Sequence, residues 1–68
     1  MKDYQQRVVD EKKELDGKLS KLTTFIAGKD FASVDGEEQV RLRKQSTFMR
    51  NYSDVLGERI AAFPKEEK

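Results

Sequence analysis

Two runs of residues spaced alternately four and three apart decide what this chain can fold into. In the first, Tyr4, Val8, Glu11, Leu15, Lys18, Leu22 and Phe25 keep that rhythm, with Leu19 and Ile26 widening the stripe. In the second, Leu42, Gln45, Met49, Tyr52, Leu56, Arg59 and Phe63 keep it, flanked by Phe48, Val55 and Ile60. Steps of four and three return to one face of a 3.6-residue helix, whereas a half-buried strand alternates every second residue. The chain is therefore expected to be all-α, with two helices.

Punctuation residues bound them. Asp3 followed by Gln6 matches a capping box, and Gly28 offers a left-handed stop, so the first helix is expected over about residues 3–27. Residues 28–35 then form a connection, anchored by Phe31 and Val34, with a short helical turn from Asp30. Asp35 with Glu38 gives a second capping box, and Pro64 cannot continue a helix, so the second helix is expected over about 36–63. The tail, residues 64–68, is expected to fray. Opposite charges four apart (Arg7/Glu11, Glu14/Lys18, Glu37/Arg41, Arg50/Asp54) would add about 0.3 kcal/mol each. A connection this short makes the helices antiparallel neighbours, a two-helix hairpin forming one domain.

Such a hairpin is poorly equipped to stand alone. Sixty-eight residues bury only about 60% of the surface their unfolded chain exposes, and domains of that size usually need a staple. The chain has no Cys and no His, which removes disulfides and the usual zinc and haem sites. A partner remains, and a second hairpin would cover the apolar flanks that one seam leaves open. The expected architecture is a homo-oligomeric helical bundle, dimeric or higher.

Several function classes lose support. Lys and Arg number 14 against 13 Asp and Glu, and the signs alternate, as in Asp10-Glu11-Lys12-Lys13-Glu14, which speaks against DNA or RNA as a partner. The longest apolar run, Ile60-Ala61-Ala62-Phe63, is far short of a membrane span, and Met1-Lys2-Asp3 opens no secretory signal, so a cytoplasmic protein is expected. No nucleophile–base arrangement and no inward cluster of carboxylates is legible, so no catalytic residue, metal or cofactor is assigned.

The informative residues are those that interrupt the stripes: Glu11 and Lys18 in the first helix, Gln45 and Arg59 in the second. A buried unpaired charge costs several kcal/mol, so each must be paired, solvated or bound to something. Setting Phe25 beside Val40 and Leu42 brings Glu11 and Arg7 toward Arg59 and Leu56, with Tyr4 facing Ala62 and Phe63 and Tyr52 one layer deeper. Two readings stay open. These residues can fix register and partner choice, as polar positions in coiled coils do, with Lys18 and Gln45 leaning out to water. Alternatively, Tyr4, Arg7, Glu11, Lys18, Gln45, Tyr52 and Arg59 line polar pockets for a small anionic ligand that carries a base. Arginine and lysine would hold phosphate, a tyrosine would stack the base, and Glu11 and Gln45 would bond ribose or base. The mid-helix Gly17 and Gly57 admit either tolerated surface glycine or room for a close approach.

The run Tyr4-x-x-Arg7-Val8-x-x-Glu11-Lys12-x-x-Leu15-x-x-Lys18-Leu19-x-x-Leu22-x-x-Phe25-Ile26 resembles the opening of a family of short proteins from tailed phages and prophages, crAss-like phages included. The stretch from Glu38 through Gln45, Met49, Tyr52 and Leu56 to Arg59-Ile60 resembles the remainder, so the likeness spans about Tyr4 to Phe63. Gly17, where a helix former would be expected, and Val34, where Leu is usual, depart from the pattern. The resemblance implies phage origin and, through Sequestin-type members, a counter-defence sponge. Such a protein sequesters a nucleotide signal of a bacterial immune system such as Thoeris or CBASS and acts in the host cytoplasm without catalysis. The signal would be of the cyclic ADP-ribose type, an ADP-ribose derivative or a cyclic dinucleotide. The competing expectation is a protein–protein module that inhibits a host protein through a helix face.

Overall fold

A computed structural model describes residues 2–64. Two helices account for most of it, α1 over Asp3–Ala27 and α2 over Gly36–Ala61, joined by a 3₁₀ turn at Lys29–Ser33. No strand occurs among the described residues. The helices lie antiparallel in a rod 55 Å long and 15 by 14 Å across. A rod two helices wide and one deep has almost no interior: Val8, Phe31 and Leu56 are its buried apolar side chains.

The contact between the helices is turned by one residue from the stripes read in the sequence. Along α1 the inward positions are Gln5, Val8, Lys12, Leu15, Leu19, Leu22 and Ile26; Tyr4, Glu11, Lys18 and Phe25 are exposed. Along α2 they are Leu42, Ser46, Met49, Ser53, Leu56, Ile60 and Phe63, while Gln45, Tyr52 and Arg59 are exposed. Each helix keeps its sevenfold set (Val8, Leu15, Leu22; Leu42, Met49, Leu56, Phe63) and moves the alternate set one residue toward the C-terminus. Small Ser46 and Ser53 at the contact let the backbones approach, which Gln45 and Tyr52 would not. The interrupting charges Glu11, Lys18 and Arg59 are thereby solvated, so no desolvation cost attaches to them.

The ends differ from expectation in their chemistry. The cap of α1 is Lys2, and Gln5 is the residue that reaches back, its buried Oε1 accepting the Lys2 backbone N–H at 2.9 Å. Asp3 lies inside the first turn, where its charge suits the positive end of the helix, and Gln6 instead donates to Asp10 at 2.9 Å. Gly28 ends α1 in an extended conformation (φ −84°, ψ 168°), not a left-handed one, because the chain passes directly into the 3₁₀ turn. Asp35 does cap α2, its carboxylate accepting Glu37 N–H at 3.1 Å, while Glu38 pairs with Arg41 at 2.8 Å and does not complete a box. The last helical residue is Ala61, two short of Phe63; Pro64 disfavours helical backbone in the residue before it. Among the described residues the close ion pairs are Lys12–Asp16 and Glu38–Arg41, and none of the four expected pairs is among them. Of the expected fraying tail, residues 65–68 lie outside the described residues.

The connection is held from both sides. Phe31 is buried with its ring edge-on to Phe25 (centroids 5.9 Å apart) and the Arg43 guanidinium 5.0 Å above it. The Gln39 amide donates to the carbonyls of Phe31 and Val34 at 3.0 and 2.8 Å, and the Phe31 carbonyl also accepts the Val34 backbone N–H at 3.0 Å. At the other end of the rod, Tyr4 meets Phe63 edge-on with ring centroids 5.8 Å apart, as the register read from the sequence requires.

Candidate functional site

The residues turned out of the contact gather along one side of the hairpin. Glu11, Glu14 and Lys18 follow one another at steps of three and four on α1, and Tyr52 leans across from α2. With Leu15 as an apolar floor they line an open cleft of about 270 Å³. The Tyr52 hydroxyl donates to the Glu11 carboxylate, which fixes the ring as a wall. That hydrogen bond, with burial and the carboxylate's charge behind it, raises the Tyr52 pKa above the ordinary 10.0, while nearby Arg59 acts the other way. Tyr52 is thus a protonated, positioned aromatic at neutral pH.

Beyond Tyr52 the same side is unusually apolar for a helix surface. Phe48 is 66% exposed, Val55 48% and Tyr52 44%, at spacings of four and three along α2. Phe25 and Tyr4 are exposed toward the two ends.

A second polar group sits inside the helix contact. Lys12 Nζ donates to Ser53 Oγ at 2.8 Å and to Asp16 at 2.9 Å, and the Ser53 hydroxyl donates to Asp16 Oδ1 at 2.5 Å. The two hydrogen bonds, from Ser53 first and then Lys12, hold the Asp16 carboxyl below its ordinary pKa. The Lys12 stem runs past Gly57, where an added Cβ would stand 3.4 Å from Lys12 Cε. Ser53 is buried and bonded on both sides, so its hydroxyl is a structural clasp and not a nucleophile open to substrate.

Of the seven residues singled out in the sequence, the cleft unites Glu11, Lys18 and Tyr52, and Arg59 stands beside Tyr52. Tyr4 belongs to the open end of the rod with Phe63, and Gln45 donates to the Met49 sulfur at 3.7 Å. Arg7 is exposed near the start of α1. Sequence reasoning missed Glu14 and Leu15 as lining residues. Charge spacing alone marks Glu14 as a helix-surface partner for Lys18, and its place three residues after Glu11 and four before Lys18 puts it on their face. Lys12, Asp16 and Ser53 were missed because their association spans two helices. No group of three or more potential metal ligands occurs among the described residues, and no helix there is long and apolar enough to cross a membrane.

Two helices of 25 and 26 residues carrying a shallow, mixed-charge cleft with an aromatic wall describe a small all-helical binding protein. Residues 2–62 match the Sequestin family model, and the chain belongs to that family, whose members are sequestering proteins rather than enzymes. It is also similar to an uncharacterized 7.5 kDa protein in the denB-rIIB intergenic region of Enterobacteria phage T4, at 37% identity over 60 residues covering 88% of this chain and 94% of that one. No solved structure matches the chain.

Proposed function

We propose that this protein is a phage counter-defence sponge. It binds a small nucleotide immune signal in the host cytoplasm, of the cyclic ADP-ribose type, an ADP-ribose derivative or a cyclic dinucleotide, and removes it without chemistry. The observation that carries this is the cleft beside Tyr52. It sets an aromatic face, hydrogen-bond acceptors and an ammonium group around an apolar floor, the groups a nucleotide requires. Family membership supports the sequestering role.

The working unit in this reading is a homo-oligomer. A single hairpin leaves Phe48, Tyr52 and Val55 in water on the side that bears the cleft. Covering them with a second copy would wall in a site that is open in one chain, and side chains at the rod's edges, Tyr4, Arg7 and Gln45, would reach it from a neighbour. Thermal melting with a panel of cyclic ADP-ribose isomers, ADP-ribose and cyclic dinucleotides tests the reading: a bound signal raises the melting temperature, and unchanged melting across the panel rejects it.

The same exposed row, Phe48–Tyr52–Val55, favours one competing function, a helix face laid on a host protein. Recovery of one stoichiometric host protein from bacterial lysate, with no response to nucleotides, would select that alternative.

A further inference from the structure

The residues left outside the helix contact form a pattern of their own. On α1 the exposed Tyr4, Glu11, Lys18 and Phe25 recur every seven residues and read aromatic, acid, base, aromatic. On α2 the exposed Arg41, Gln45, Phe48, Tyr52, Val55 and Arg59 step by four and three, with the apolar residues toward the middle. The opposite flank of α2 holds Arg43, Thr47, Arg50 and Asp54 and is polar. Both exposed sets open on the side of the cleft, where Glu11 and Lys18 stand with Tyr52.

Each set is matched to its own reverse. Tyr4 with Phe25, and Glu11 with Lys18, lie at equal distances on either side of the Glu14–Leu15 peptide bond. Phe48 with Tyr52, Gln45 with Val55, and Arg41 with Arg59 lie at equal distances on either side of Arg50. The bonds from Tyr52 to Glu11 and from Lys12 to Ser53 bring Glu14 and Leu15 level with Arg50, to within about half a helical turn. The two centres share one level, so a single two-fold axis, perpendicular to the rod at mid-length, serves both helices. A two-fold contact requires this self-complementarity, since each residue must meet the residue that meets it.

Charge selects the direction. With two rods antiparallel, Glu11 of each meets the partner's Lys18, so that ion pair forms twice. Phe48 then meets the partner's Tyr52 ring, and Tyr4 the partner's Phe25. Two parallel rods would set Glu11 against Glu11 and Lys18 against Lys18. The like pair of the antiparallel arrangement, Arg41 with the partner's Arg59, falls at the exposed ends of the row, where Glu38 already holds Arg41 at 2.8 Å.

We infer that the cleft side of the hairpin is covered by a second copy of this chain, antiparallel and two-fold, with Glu11 and Lys18 paired between chains. The inference rests on the homo-oligomer of the sequestering reading and fixes its symmetry, with the two clefts facing each other across the axis.

The chain has no cysteine of its own, so single cysteines report the direction in protein free of nucleotide. Mixed Gln45→Cys and Val55→Cys chains should form a disulfide with each other. Gln45→Cys alone should not, because its two copies stand about 15 Å apart along the axis. Charge reversal reads the pairing. Glu11→Lys and Lys18→Glu should each raise the dimer dissociation constant about tenfold in sedimentation equilibrium, and the two together should restore it. Both positions are exposed, so the single variants should keep the wild-type helicity by circular dichroism. A Gln45→Cys chain that cross-links to itself as readily as to Val55→Cys, or a double variant no better than the singles, overturns the inference. So does a wild-type chain that stays monomeric at every concentration, which would leave the row to a foreign helix. None of these outcomes decides the nucleotide panel, whose failure alone rejects the sponge.

Discussion

At the scale of single residues, two hydrogen-bonded groups tie α1 to α2 and should mark the stability of the hairpin at opposite ends of the pH range. Asp16 has a folded pKa below its ordinary 3.8, so its contribution is complete above that value and is lost as pH falls through the folded one. Asp16→Asn should therefore lower the melting temperature at neutral pH and flatten its decline below pH 3.8, in a series of melting curves against pH. Tyr52 is the reverse case. Its pKa is raised, so its bond to Glu11 contributes fully below 10.0 and is lost as pH rises through the folded value. Tyr52→Phe should cost a little stability at neutral pH and remove part of the alkaline decline that wild type shows in the same experiment.

At the scale of the elements, the existence of two helices was legible and their rotation was not. Periodicity and the punctuation at Gly28, Asp35 and Pro64 were enough to locate both helices to within two residues. The choice of inward face was close to a tie. Tyr4, Glu11, Lys18 and Phe25 hold two apolar and two polar residues, and so do Gln5, Lys12, Leu19 and Ile26. On α2 the rivals, Gln45/Tyr52/Arg59 and Ser46/Ser53/Ile60, are matched as evenly. Side-chain size and a bond across 41 residues, Lys12 to Ser53, separate them, and neither is visible in the hydrophobic pattern of one helix. The same gap hid two of the five residues that line the cleft, since Leu15 and Glu14 acquire that role only once Tyr52 leans over them. The mid-helix glycines make a paired test of the helix contact. Nothing stands within 4 Å of a Cβ added at Gly17, so Gly17→Ala should stabilise α1 by about 1 kcal/mol in urea unfolding. Gly57→Ala brings the same gain in helix propensity but presses on the Lys12 stem at 3.4 Å, so its net benefit should be smaller or absent.

At the scale of the whole molecule, a rod with three buried apolar side chains among its described residues has little to hold it folded in isolation. If a second copy covers the row Phe48–Tyr52–Val55, the melting temperature should rise with protein concentration over the micromolar range. Phe48→Ser should weaken that dependence and shift light-scattering mass toward the monomer. Phe48 is largely exposed and lies outside the inward row Leu42, Ser46, Met49, Ser53, so the hairpin itself should be little disturbed. A wild-type melting temperature independent of concentration would argue for the free hairpin as the working form.

The thinness of the rod bears on how such a protein can change over generations. Where a thick globule ties most of its residues to packing, a body 15 by 14 Å across leaves nearly every side chain within reach of water. Mutation at most positions is then answerable to whatever the surface must recognise and only weakly to the fold. In an arms race in which the opposing signal molecule can be altered, a scaffold of this kind can track the alteration by single substitutions along one edge.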